Sequence, residues 1–155
     1  MLKIPVLHPE LLQGLASAGH LSKVLITDGN YPHADRIYPG TQIVWANFTP
    51  GVLGGNHVLK MVAQMVPIEL VEVMEPVRKG QWAMKDDPPI WADYRKTLKE
   101  FSNYDGELIA HQKPKFIEQV MTPDLHLVIA TAEIQVYANV LITIGVVSEQ
   151  IGKKR

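Results

Sequence analysis

Residues 9–30, PELLQGLASAGHLSKVLITDGN, hold one complete unit of an alternating fold. Pro9 at a first turn, Leu11, Leu12, Leu15 and Ala18 at helical spacing, and Gly19 as a stop predict a helix over 9–18. Val24, Leu25 and Ile26 then form a continuous apolar run, short enough for a buried strand over 23–27, and Asp28-Gly29-Asn30 turns the chain behind it. His20 and Asp28 bracket that strand. Eight residues of extended chain span roughly 25 Å, so the two side chains stand at opposite ends and do not meet within one pocket unless the strand is short and its flanking turns curl back. A site assembled between subunits, with His20 of one facing Asp28 of its neighbour, would bring them together.

Outward from this unit the same alternation continues. Thr41–Ala46 (TQIVWA) reads as a second strand, and Trp45 in it as strand core. Pro50-Gly51 breaks the chain before a helix over 52–66, with Val58, Leu59, Val62 and Met65 on one face. A third strand covers 71–74. Residues 76–90 form a polar, proline-punctuated loop, followed by a charged helix over 91–101, a strand over 107–110 and a short helix over 115–121. Two apolar strands, 126–131 and 140–146, enclose Ala132 to Asn139. The expectation is an α/β fold, a three-layer α/β/α sandwich around a mostly parallel sheet. Residues 1–150 read as one domain and 151–155, ending Lys153-Lys154-Arg155, as a flexible basic tail.

The chain has 155 residues, 46% of them hydrophobic, which is enough for one domain with a real core. Its 15 Lys+Arg against 16 Asp+Glu leave a net charge of −1, without the basic excess that nucleic acid or anionic lipid calls for. Cysteine is absent, which removes disulfides, thiolate metal sites and cysteine nucleophiles together. The opening residues lack a basic segment followed by a long apolar one, and no apolar run approaches about 20 residues, so a soluble, cytoplasmic protein without membrane contact is expected.

The candidate chemistry is therefore carried by His, Asp, Glu, Tyr and Asn. His20 follows a helix-ending Gly, where an imidazole also serves simply to cap carbonyls. His33, Asp35 and His57 suit zinc or manganese by type, but their spacing fits no ligand motif. Gly51-Val52-Leu53-Gly54-Gly55 fits neither a dinucleotide fingerprint nor a Walker loop. Glu133-x-x-x-Tyr137-x-Asn139 is more informative, because it sets an acid, a phenol and an amide between two apolar strands, where they converge at a sheet edge or form a polar turn.

Pro9-Glu10-Leu11-Leu12, Gly19-His20, Thr27-Asp28-Gly29-Asn30-Tyr31-Pro32, and Glu133-x-x-x-Tyr137-x-Asn139 followed by Val140-Leu141-Ile142 and Gly145-Val146 together resemble the RbsD/FucU family of sugar mutarotases. The resemblance covers nearly the whole chain, and the helix Ala92 to Leu98 after a proline-rich loop is more similar to the fucose than to the ribose branch. It implies an RbsD-like fold and interconversion of the anomeric or ring forms of a monosaccharide such as L-fucose, by acid/base catalysis with neither metal nor cofactor. His20 is then the catalytic acid/base, with Tyr137 as a second proton relay. Asp28, Glu133, Tyr137 and Asn139 bind the sugar. Lys113 takes the basic position where the family carries His or Arg, and His111, two residues earlier, is the alternative. Ala132-Glu133 keeps the family's acid without its Gly, and His33-Ala34-Asp35-Arg36 replaces small apolar residues. The resemblance further implies a homo-oligomer, a decameric ring with sites between subunits. Two other readings of the same residues are a non-catalytic sugar-binding or transport-accessory protein, and a metal-dependent isomerase or lyase using His20, His33 and Asp35.

Overall fold

The computed structural model describes residues 1–105 and 107–148; the expected tail at 151–155 lies outside them. Its elements run α1 (Pro9–Ser17), β1 (Lys23–Thr27), β2 (Gln42–Trp45), α2 (Gly55–Ala63), β3 (Ile68–Met74), α3 (Pro89–Phe101), β4 (Ile109–His111), α4 (Lys113–Val120), β5 (Leu125–Ala130) and β6 (Val140–Ile144). The strands form one sheet in the order β2-β5-β1-β6-β3-β4. β1 and β2 run parallel to β5, and β3 parallel to β4, while β6 is antiparallel to both of its neighbours. The sheet is thus parallel except for β6. α1, α2 and α3 pack on one face through Leu11, Leu15, Val58, Leu59, Val62, Trp91, Tyr94 and Leu98. α4 covers the other with Phe116 and Val120 against Leu25, Val128 and Leu141, so the expected three layers are present. No helix of the described residues is long and apolar enough to cross a membrane.

Local chemistry sets the element ends. α1 starts where His8 Nδ1 accepts from Leu11 N (3.4 Å) and Pro9 presets the first turn. α2 begins at Gly55, three residues later than expected, because Gly51 (φ +79°) and Leu53 (φ +63°) are left-handed and cannot be helical. β3 begins at Ile68, earlier than expected, with an irregularity in its pairing between Ile68 and Leu70.

One connection decides where a site forms. β4 reaches β5 through α4, as a parallel crossover requires, but β5 reaches β6 through residues 131–139 alone. β1 lies between β5 and β6, so this segment must pass over the C-terminal end of β1, directly above Asp28. Gly29 N donates to Glu133 O (2.9 Å) and Thr131 Oγ1 to Thr27 O (2.7 Å), fastening it there. In open α/β sheets such a switch in strand order beyond the carboxyl ends is where ligands bind.

Candidate active site

At this edge Asp28 is 4% exposed, with a partner on each carboxylate oxygen. Its backbone N–H donates to Asn139 Oδ1 (2.9 Å), Asn139 Nδ2 donates to Asp28 Oδ2 (2.9 Å), and Asn30 N donates to Oδ1 (2.9 Å). Asp28 and Asn139 are thereby locked as a pair although 111 residues separate them in sequence. Burial pushes the Asp28 carboxyl above its ordinary range, against the N–H groups of Asn30 and Ala138 and the Asn139 amide, which favour the anion.

Tyr137 stands two residues before Asn139 with φ +58°, a left-handed conformation uncommon for a bulky residue. Buried aromatic side chains of α3 hold it: Trp91 Nε1 donates to Tyr137 O (3.1 Å) and Tyr94 Oη to Ala138 O (2.6 Å). Val77 N, in the loop before α3, donates to the Tyr137 hydroxyl (3.3 Å). Arg78 braces that loop by bonding the carbonyls of Met84, Lys85 and Asp86 and the Asp87 carboxylate.

Glu133 is held by backbone donors on two sides. Gly55 N donates to its Oε2 (3.0 Å), and Ile134 N and Gln135 N to its Oε1 (3.0 and 2.9 Å), which fills three of about four lone-pair sites. It caps the N-terminus of α2 from a distance, where negative charge is favoured, and folds the crossover upon it. The glycine cluster follows from this: a Cβ on Gly54 would meet Glu133 Oε2 at 2.7 Å, and one on Gly55 would meet Tyr94 Oη at 2.7 Å.

Beyond Asp28 on the other side, His33 Nε2 lies 2.8 Å from Thr27 Oγ1, with its ring 5.1 Å from that of Trp45 and 5.4 Å from that of Tyr31. Burial holds the His33 imidazole below its ordinary value. Trp45 is 56% exposed at the end of β2, which corrects its reading as strand core: β2 is an edge strand, and only Val44 in it is buried. Among the described residues no three His, Asp or Glu side chains gather as a metal site, and His57 is exposed on α2.

His111 ends β4 at the same edge as Asp28, and its Nε2 lies 2.8 Å from Glu72 Oε1. Lys113 opens α4 with an exposed side chain that has no hydrogen-bond partner among the described residues. His20 lies at the opposite edge, before β1, 47% exposed and 2.8 Å from Glu69 Oε2 at the start of β3. One chain therefore brings together Asp28, Tyr137 and Asn139, with His111 further along the edge, and holds His20 apart from them. Glu69, Glu72, Trp91 and Tyr94 went unnoticed in the sequence. Two glutamates interrupting an otherwise apolar strand, Ile68-Glu69-Leu70-Val71-Glu72-Val73-Met74, were the available signal.

A family model described as the RbsD / FucU transport protein family matches residues 1–147. A fucose mutarotase of Bos taurus is 26% identical over 152 residues, covering 92% of this chain and 91% of the relative. The crystal structure of FucU from Bifidobacterium longum superposes with a TM-score of 0.75 at 29% identity, over 91% of this chain and 95% of that one. A fucose mutarotase from Streptococcus pneumoniae, solved in complex with L-fucose, has a TM-score of 0.79 at 22% identity over 96% of this chain and 100% of that one, a likeness of fold.

Proposed function

The chain belongs to the RbsD/FucU family, and from that premise we propose that it is a monosaccharide mutarotase, an isomerase that exchanges the ring forms of a sugar by side-chain acid/base catalysis. The observation that carries the reading is the buried Asp28 carboxylate paired with Asn139 under the crossover, on which Tyr137 stands two residues before Asn139. A fixed carboxylate, amide and phenol offer the acceptors and donors that a ring of hydroxyls requires. The relative named fucose mutarotase makes L-fucose the first sugar to test.

In the reaction a proton leaves the anomeric hydroxyl, the bond from C1 to the ring oxygen breaks, and a proton reaches that oxygen, giving the open aldehyde. After rotation about the C1–C2 bond the same hydroxyl adds to the other face, and the two proton transfers run in reverse. His20 is the acid/base in this proposal, because an imidazole serves both directions near neutral pH. Glu69, 2.8 Å away, orients it. Tyr137 is the second relay, and Asp28 and Asn139 hold the non-reacting hydroxyls. We assign the basic position to His111, which is partly buried at the edge that carries Asp28, in preference to the exposed Lys113. The N-terminal edge of one subunit, carrying His20, meets the C-terminal edge of the next, carrying Asp28, in a ring that this reading makes decameric and cytoplasmic.

Exchange NMR on a panel of monosaccharides tests the proposal. The protein should accelerate anomer exchange of L-fucose or a close relative, and His20→Ala should lower the rate at least about 100-fold, the usual scale for a lost general acid/base. Saturable sugar binding without accelerated exchange would favour the non-catalytic alternative.

A further inference from the structure

β3 carries two glutamates, and each lies against a histidine: Glu69 beside His20 at one edge, Glu72 beside His111 toward the other. The two pairs differ in burial. His20 and Glu69 are about half exposed, whereas the Glu72 side chain is 5% and the His111 side chain 22% exposed. Glu72 sits within the sheet, opposite Leu141 of β6 on one side and Ile109 of β4 on the other. Its Oε1 meets His111 Nε2, and its Oε2 is buried without a hydrogen-bond partner.

A buried carboxylate with one oxygen unpaired costs stability, and valine, which fills the neighbouring positions 71 and 73, would avoid that cost. The feature that sets Glu72 apart is its bond to His111. Among the described residues the ring has no other side-chain partner, so this single contact orients it. Where Glu72 is ionised its carboxylate only accepts hydrogen bonds, so the hydrogen of a neutral His111 ring then lies on Nε2. Nδ1 is then its sole acceptor.

We propose that Glu72 is a positioning residue: it fixes His111 as the Nε2–H tautomer, leaving Nδ1 to accept a hydrogen bond from a sugar hydroxyl. The proposal rests on the reading of His111 as a sugar-binding group. It gives β3 one task at both ends, since its two carboxylates orient the two histidines that meet across a subunit contact.

The test reads the tautomer directly and needs no sugar. In long-range proton–nitrogen spectra of protein labelled with 15N-histidine, His111 is assigned as the signal missing from His111→Gln. At alkaline pH its Nε2 should resonate as protonated and its Nδ1 as unprotonated. Glu72→Gln keeps the shape but offers an amide that either donates or accepts, so both tautomers should appear; Glu72→Asp should retain the preference at least in part. On adding L-fucose, the Nδ1 signal of the wild type should move more than Nε2. Glu72→Gln should raise KM about tenfold with a much smaller change in kcat, the low end of the loss seen when the partner orienting a metal-bound histidine is removed. A wild-type ring protonated on Nδ1, or a Glu72→Gln ring with an unchanged tautomer, overturns the proposal. Should the wild type exchange no sugar, the mutarotase reading fails, while the sugar-free spectra still decide what Glu72 does to His111.

Discussion

Tyr137 stays left-handed because its own carbonyl and the next one are both bonded from α3, and the hydroxyl of fully buried Tyr94 is the shorter of these anchors at 2.6 Å. Tyr94→Phe leaves the Ala138 carbonyl buried and unpaired, and should lower stability by about 1–3 kcal/mol in urea unfolding. The same change should weaken sugar binding, because Ala138 joins Tyr137 to Asn139. An unfolding curve equal to that of the wild type would show that Tyr94 contributes only its ring. Asp28 carries a pH signature. Burial raises its carboxyl above 3.8, the ordinary value, so between 3.8 and its folded value the native state binds more protons than the unfolded chain. Its contribution to stability therefore falls as pH rises through that window. Asp28→Asn removes the titration, so wild-type stability measured relative to Asp28→Asn should decline from pH 3 to higher pH; a constant or rising difference would contradict the burial. The variant should also bind sugar more weakly, by about 1.5–3 kcal/mol for one charge-assisted hydrogen bond.

At the scale of elements, α1 lies close on β5 because Gly14 has no side chain. A Cβ there would stand 2.9 and 3.0 Å from the two methyl groups of Leu127, which is fully buried. Helix propensity alone favours alanine by about 1 kcal/mol, and overpacking typically costs about 1–3 kcal/mol, so Gly14→Ala should destabilise on balance. In a Leu127→Ala background the same substitution should become neutral or stabilising, a coupling that a double-mutant cycle reads from denaturation curves. Stabilisation by Gly14→Ala in the wild-type background would mean that α1 and β5 part readily. α2 shows a distant residue at work on a helix end: left-handed Gly51 and Leu53 delay the start to Gly55, and Glu133 caps it there.

For the whole molecule, His20 and Asp28 lie beyond opposite ends of β1, whose five residues alone span roughly 17 Å, so a single chain does not hold both in one pocket. Trp45, Phe48 and Trp82 are large apolar side chains left uncovered on that chain, and a net charge of −1 opposes association little. Mixing His20→Ala subunits with Asp28→Asn subunits should restore part of the exchange activity, because about a quarter of head-to-tail contacts in a random equal mixture pair an intact His20 with an intact Asp28. Light scattering reports the assembly, and exchange NMR the rescue. A monomer that exchanges anomers, or mixed oligomers without rescue, would refute the shared site and leave the mutarotase reading in place.

What the sequence determined by itself is what depends on neighbours along the chain. Val24 to Ile26 and Val140 to Val146 read as strands because continuous apolar runs are local signals, while Pro9 and Gly19 mark the first helix and Asp28-Gly29 the end of the first strand by backbone preference alone. The Glu133 to Asn139 segment was recognisable as a gathering of polar groups between strands. Sequence did not reveal that this segment crosses the end of β1, since strand order is settled by packing between residues about a hundred positions apart. The same holds for the Glu133 cap on α2, the exposure of Trp45 and the pairing of Glu69 and Glu72 with their histidines. Each follows from which strand lies beside which, and only the assembled sheet carries that information.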